Sequence, residues 1–172
     1  MDALCKTCHG LFRKYIGKSM QAKFFVYTMR TAVCLLNVFP YYSINYELVE
    51  YLPEMEKYLY KSLFNLILIL NLLSYFTASL LKPVQIPKIE FIEEQEKRMC
   101  DKCQKWKPER TSHCSICEIC VPKMDHHCPW LGNCVGQHNL KPFFLFCFYQ
   151  FLEGIVMLQA IIDRNFKAPD SI

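Results

Sequence analysis

The chemistry in this sequence is concentrated between Met99 and Cys134, MCDKCQKWKPERTSHCSICEICVPKMDHHCPWLGNC, which holds seven of the 11 cysteines and three of the five histidines. The spacing opens with Cys100-x-x-Cys103, continues as Cys114-x-x-Cys117-x-x-Cys120, and closes with His126-His127-Cys128 and Cys134. Cysteines two residues apart let both thiolates of a tight knuckle face one ion, the way zinc ribbons and fingers begin. One such pair is a weak signal; three in register with histidines between them are a strong one. The stretch offers ten soft or borderline ligands, and tetrahedral structural zinc takes four, so two sites leave two ligands over. A purely structural module has no use for a spare thiol beside a spare imidazole. The most economical surplus lies within Asp125-His126-His127-Cys128. A nucleophilic thiol needs a base to become a thiolate, and the base needs a carboxylate to fix its tautomer. The expectation is chemistry as well as metal binding.

Cys100, Cys103, Pro108, Arg110, His113, Cys114, Cys117, Cys120, the tetrad 125–128, Pro129, Trp130, Asn133, Cys134, Gly136, Asn139 and Phe143 together resemble the cysteine-rich domain of the DHHC protein S-acyltransferases (palmitoyltransferases). The resemblance covers about a quarter of the chain. It implies two interleaved structural zinc ions, one on Cys100, Cys103, His113 and Cys120, the other on Cys114, Cys117, His127 and Cys134. Cys128 is then the implied nucleophile, His126 the general base and Asp125 the group that orients the imidazole. The co-substrate would be a long-chain acyl-CoA such as palmitoyl-CoA, its tail between the helices with Trp130 near the mouth. Lys105, Lys107, Arg110 and Lys123 are candidates to meet the CoA phosphates. Transfer would run through an acyl-enzyme to a juxtamembrane cysteine of a second, cytosolic or membrane-bound, protein.

Apolar runs must position these groups, since hydrophobic residues make up 52% of the 172 positions. Residues 24–44, FFVYTMRTAVCLLNVFPYYSI, suffice for a first span and contain Arg30, which can snorkel toward the basic arm 1–23. The connection 45–61 is acid-rich, and 62–81, SLFNLILILNLLSYFTASLL, is an uncharged second span. Asn65, Asn71, Ser74 and Thr77 read as interhelical glue. A polar linker, 82–98, leads into the metal domain at 99–141, and 142–162, PFFLFCFYQFLEGIVMLQAII, is a third span before the short tail 163–172. Glu153, near the middle of that span, must be paired, hydrated or protonated; Arg30 is one candidate partner, and a limit to acyl-cavity depth is one candidate role. Cys34 and Cys147 read as helix packers, with acylation of Cys147 the alternative, and His138 as a surface residue at a helix start. No internal repeat or low-complexity tract is read.

The fold class expected is therefore a mainly α integral membrane protein, with three transmembrane helices and an irregular, hairpin-rich two-zinc domain between spans two and three. Basic residues cluster before the first span and in 82–141, which places the amino terminus and the zinc domain in the cytosol and 45–61 in the lumen. A reducing cytosol also suits thiolates that bind metal or attack. No cleavable signal peptide is expected, and haem attachment at Cys5-Lys6-Thr7-Cys8-His9 is rejected for want of an oxidising compartment. The net charge of +4 sits beside membrane segments and needs no nucleic acid. The membrane expected is the endoplasmic reticulum, Golgi or plasma membrane. The resemblance implies at least four spans, a DPG-type turn after the second and a TTxE-type motif after the fourth. Here Lys82-Pro83-Val84 follows the second and three spans are read, so the expectation is a short form whose acyl cavity needs a partner or second copy for one wall. Two functions follow: a membrane protein S-acyltransferase, or a catalytically inactive zinc module that binds partners or forms homo- or hetero-oligomers with a complete enzyme.

Overall fold

The computed structural model describes Met20, residues 24–83, Ile86 and residues 99–167, apart from the side chains of Lys105 and Lys167. The expected basic arm, most of the linker 82–98 and the end of the tail lie outside those residues. Helix α1 covers 24–42 and widens into a π-helical turn at Ser43–Leu48. Pro40 removes one ladder hydrogen bond just before that widening. Helix α2 is Glu54–Leu80 and helix α3 is Leu140–Lys167. Between them six short strands form a small domain: β1 (Met99–Cys100), β2 (Lys105–Trp106), β3 (Thr111–Cys114), β4 (Ile119–Pro122), β5 (His126–Cys128) and β6 (Asn133–Val135).

Helix α2 starts earlier than its apolar run. Pro53 precedes it, Glu54 and Glu56 fall in its first turn, and Lys57 bridges Glu50 and Glu54 while Lys61 bridges Glu50. Acidic residues at a helix amino terminus complement the dipole, so the charged half of the expected 45–61 connection is helical. Hydropathy marks only the part that lipid can cover. Buried residues on α2, Phe64, Ile67, Leu68, Asn71, Ser74, Tyr75, Ala78 and Ser79, recur at the three- and four-residue steps of one helix face. That face meets α3, and Phe64, Leu68 and Ala160 close a core with Ile44, Leu48, Val49 and Leu52.

Among the described residues two helices are long and apolar enough to cross a membrane, Glu54–Leu80 and Leu140–Phe166. Each spans about 40 Å at 1.5 Å per residue, against about 30 Å of hydrocarbon. Only 11% of the apolar window of α3 is buried, and Phe144, Phe148, Phe151, Ile155 and Leu158 face outward. A soluble core helix would bury them. Glu153 accepts a hydrogen bond from Gln150 Nε2 (3.1 Å), and Gln150 Oε1 accepts one from Asn71 Nδ2 (3.3 Å). The pairing of Glu153 with Arg30 is thereby corrected, because the Arg30 guanidinium is engaged with the Leu131 and Ser79 carbonyls at the carboxy terminus of α2.

The small domain is three antiparallel hairpins, β1–β2, β3–β4 and β5–β6. Their last pairs before the turn are Cys100 with Lys105, Cys114 with Ile119 and Cys128 with Asn133. Each four-residue turn ends on a residue in left-handed conformation: Gln104 (φ 51°), Glu118 (φ 57°) and Gly132 (φ 60°). Cys100, Cys114 and Cys128 stand at equal intervals, as do Cys103, Cys117 and Leu131. The reading of no internal repeat is corrected by this geometry: the domain is one knuckle unit used three times. The repeat escapes a residue-identity scan because the third unit keeps the turn and loses the second cysteine.

Candidate active site and metal centres

The turns bring two groups of four ligands together, Cys100, Cys103, His113 and Cys120, and Cys114, Cys117, His127 and Cys134. Cross-strand pairing does the second half of the work, since His113 lies opposite Cys120 and His127 opposite Cys134. Within the first group Cys100, Cys103 and Cys120 Sγ lie 3.7, 3.2 and 3.8 Å from His113 Nδ1. Within the second, Cys114, Cys117 and Cys134 Sγ lie 3.6, 3.3 and 3.7 Å from His127 Nδ1. Tetrahedral zinc with bonds of 2.0–2.3 Å separates its ligands by roughly 3.5–3.8 Å. The donor sets fit.

Their electrostatics fit as well. Hydrogen bonding from the Cys103 amide holds the Cys100 thiol below its ordinary value. Burial pushes the Cys120 thiol up to about 12, with Cys100 and Cys103 adding to it, and raises Cys117 and Cys134. Thiols this crowded ionise together only around a cation, which inverts the local preference. His127 is held below its usual range by burial first and His126 second, which favours the neutral imidazole a metal requires.

Cys128 belongs to neither group. Along a strand alternate side chains share a face, so in β5 His127 turns to the second group while His126 and Cys128 take the opposite side. Cys128 is 6% exposed and packs with Val33, Tyr75, Ala78, Leu131 and Val135, against which Phe143 and Phe146 lie. His126 and Asp125 stay in water, with side chains 43% and 65% exposed and His126 Nδ1 3.0 Å from Asp125 Oδ2. The His126 ring meets Phe143 edge-on at 5.5 Å. A thiol buried among helices therefore shares a strand face with an imidazole that is hydrated and paired with a carboxylate. Trp130 is 50% exposed, Arg110 is exposed with φ 57°, and Lys107 is half-buried; no geometry joins these residues into one basic site.

Sequence reading missed the seam that docks this domain on α2. Asn133 Nδ2 donates to Ala78, Ser79 and Leu81 carbonyls (3.2, 3.4 and 2.6 Å), and Asn139 Nδ2 to Ala78 and Cys134 carbonyls (2.8 and 2.9 Å). The final turn of α2 has no basic residue, and Leu81 leaves it in extended conformation, so its orphan carbonyls are satisfied from the other domain. His138, expected on the surface, is half-buried with both ring nitrogens lacking a hydrogen-bond partner among the described residues.

A family model described as DHHC palmitoyltransferase matches residues 93–169. Palmitoyltransferase ZDHHC3 of Homo sapiens is 44% identical over 113 residues, covering 60% of this chain and 37% of its own. Palmitoyltransferase ZDHHC3-A of Danio rerio is 35% identical over 149 residues, 81% of this chain and 44% of its own. Probable protein S-acyltransferase 13 of Arabidopsis thaliana is 51% identical over 65 residues, 38% and 22% respectively. The chain thus spans less than half the length of the curated relatives it matches.

Proposed function

We infer that this chain, which belongs to the DHHC palmitoyltransferase family through residues 93–169, is a membrane protein S-acyltransferase with Cys128 as its nucleophile. One observation carries the reading: β5 sends His127 toward the second ligand group and leaves Cys128, which is in neither group, against the helices. The two groups would each hold a structural zinc, whose contribution is to make three hairpins rigid.

The reaction proposed is two-step acyl transfer. Cys128 sulfur attacks the thioester carbonyl of a long-chain acyl-CoA, its proton passing to His126 while Asp125 holds the other ring nitrogen. CoA leaves as its thiol, taking that proton, and a Cys128 thioester remains. A cysteine thiol of a substrate protein then attacks the thioester, restoring the Cys128 thiol. An unassisted thiol is only a few per cent thiolate at neutral pH, so the paired base matters. The apolar surroundings of Cys128 suit the acyl tail, and the exposed Asp125 and His126 suit the polar end. Trp130 would stand at the tail's entrance, and Lys105, Lys107 and Arg110 would meet the phosphates. In this topology 24–44 is a third span beside α2 and α3, with the zinc domain in the cytosol.

The test is a labelled palmitoyl-CoA incubated with purified two-zinc protein. Hydroxylamine-sensitive label on wild type and none on Cys128→Ala is the expected result. Absence of label from a folded two-zinc sample favours the inactive, partner-binding module.

A further inference from the structure

The turn of the third hairpin lacks what fixes the other two turns. In β1–β2 and β3–β4 the third turn residue is a metal-group cysteine, Cys103 or Cys117, whereas in β5–β6 it is Leu131. The remaining equivalents of the ligand set, at the same interval, are Lys141 and Phe148. No metal can pin this turn. Its carbonyls are held instead by the helices. Arg30 of α1 donates from Nε and Nη2 to Leu131 O (3.3 and 3.2 Å), and its Nη2 also reaches Ser79 O at the end of α2 (3.2 Å). Ser79 Oγ donates to the same Leu131 O (2.7 Å), and Tyr75 OH to Trp130 O (2.9 Å). Gly132 closes the contact, because its α-carbon faces Val26 so closely that a Cβ there would lie 2.3 Å from Val26 Cγ1.

We propose that Arg30 is a positioning residue for Cys128: its guanidinium ties the turn following the cysteine to the carboxy terminus of α2, doing for the third knuckle what a metal does for the first two. A planar cation with several donors suits this task. It satisfies a turn carbonyl and an orphan helix carbonyl together, and its charge complements the negative end of the α2 dipole. This places Arg30 in a structural circuit with the turn that follows the reacting sulfur.

The inference rests on Cys128 being the nucleophile, so the test pairs acyl transfer with a measurement that needs none. In zinc-loaded full-length protein, Arg30→Met should retain both metals and lower the acyl-enzyme rate constant at saturating palmitoyl-CoA roughly 10- to 100-fold. The half-saturating concentration should stay within about twofold, since the loss is of alignment and not of binding. Arg30→Lys, which keeps a charge but not the fork, should recover part of the rate. Alkylation of Cys128 by N-ethylmaleimide, followed by peptide mass mapping, should accelerate in Arg30→Met as the turn loosens. Wild-type labelling and wild-type alkylation in Arg30→Met would overturn the proposal. If wild type takes no label but Arg30→Met still changes Cys128 alkylation, the acyltransferase reading fails and the clamp stands. Should Arg30→Met not fold, Tyr75→Phe with Ser79→Ala removes two neighbouring bonds to the same turn. That double variant should slow transfer about 5- to 30-fold, a loss of the size expected for two hydrogen bonds, and an unchanged rate and unchanged alkylation would again overturn it.

Discussion

Asn139 offers the sharpest test of how the small domain is attached. Its side chain is fully buried and makes three hydrogen bonds: it accepts from Gly136 N–H (3.0 Å) and donates to Ala78 O (2.8 Å) and Cys134 O (2.9 Å). Asn139→Leu keeps the branched shape, though with bulkier methyl groups, and deletes all three. At about 1 kcal/mol net per bond the loss is about 3 kcal/mol. Ala78 O retains a second donor in Asn133, which keeps the cost at the lower end. For a chain of this size 1 kcal/mol corresponds to roughly 2–4 °C, so the melting midpoint should fall by roughly 6–12 °C. None of the eight ligand side chains is altered, and both zincs should remain bound. The assay is a thermal melt in detergent with metal content measured on the same sample. A midpoint within about 2 °C of wild type would refute the seam as an energetic feature. Loss of one zinc per chain would instead show that Asn139 supports the second ligand group, not the docking.

Three further outcomes follow from the same geometry. Gly132→Ala should destabilise the chain by about 1–2 kcal/mol from its positive φ alone, with an added clash against Val26; the Val26→Ala background should recover the clash and not the φ cost, read by the same melts. Cys114→Ala should remove one zinc per chain by metal analysis, whereas Cys128→Ala should leave two, since only Cys114 belongs to a ligand group. His138 has its pKa lowered by burial, so the unfolded chain binds its proton first as pH falls. The stabilisation is complete above the ordinary histidine value of about 6.5 and fades as pH drops through the folded value. His138→Gln should therefore flatten the decline of the melting midpoint between pH 7.5 and 5.5, and an unchanged slope would exclude His138 as its source.

The paired cysteines were legible in the sequence because a knuckle is local, whereas the sharing of His113, Cys120, His127 and Cys134 between the two groups came only from the family resemblance. A C-x-x-C pair dictates a turn, and the turn dictates where two sulfurs go. The uncharged run of α2 was legible for a similar reason, since twenty residues without a charge and mostly apolar leave few environments open. The edges were not: hydropathy placed the start of α2 eight residues late, because Glu54, Glu56 and Lys57 are helical through charge pairing and dipole complementarity, neither of which an apolar count detects. Long-range pairing was equally hidden. Nothing adjacent to Arg30 announces that it will meet Leu131, and the snorkelling reading followed from proximity in sequence alone. The carbonyl it needs is presented by a turn about a hundred residues away.

The spare thiol is where sequence and fold explain one another. A ligand count leaves a thiol and an imidazole over but cannot say which. Strand alternation can: within His126-His127-Cys128, one residue faces opposite to the other two, so His127 cannot share a face with Cys128. The interval linking Cys100, Cys114 and Cys128 supplies the reason. Cys128 occupies the first-cysteine position of a knuckle whose second cysteine is Leu131. Substituting leucine there removes the metal's claim on the sulfur and adds an apolar side chain to the cluster that buries it. A structural ligand position is thus left outside both metal groups through the loss of its neighbours. The same substitution removes the metal's grip on the turn, which is held instead by Arg30, Tyr75 and Ser79 of the helices.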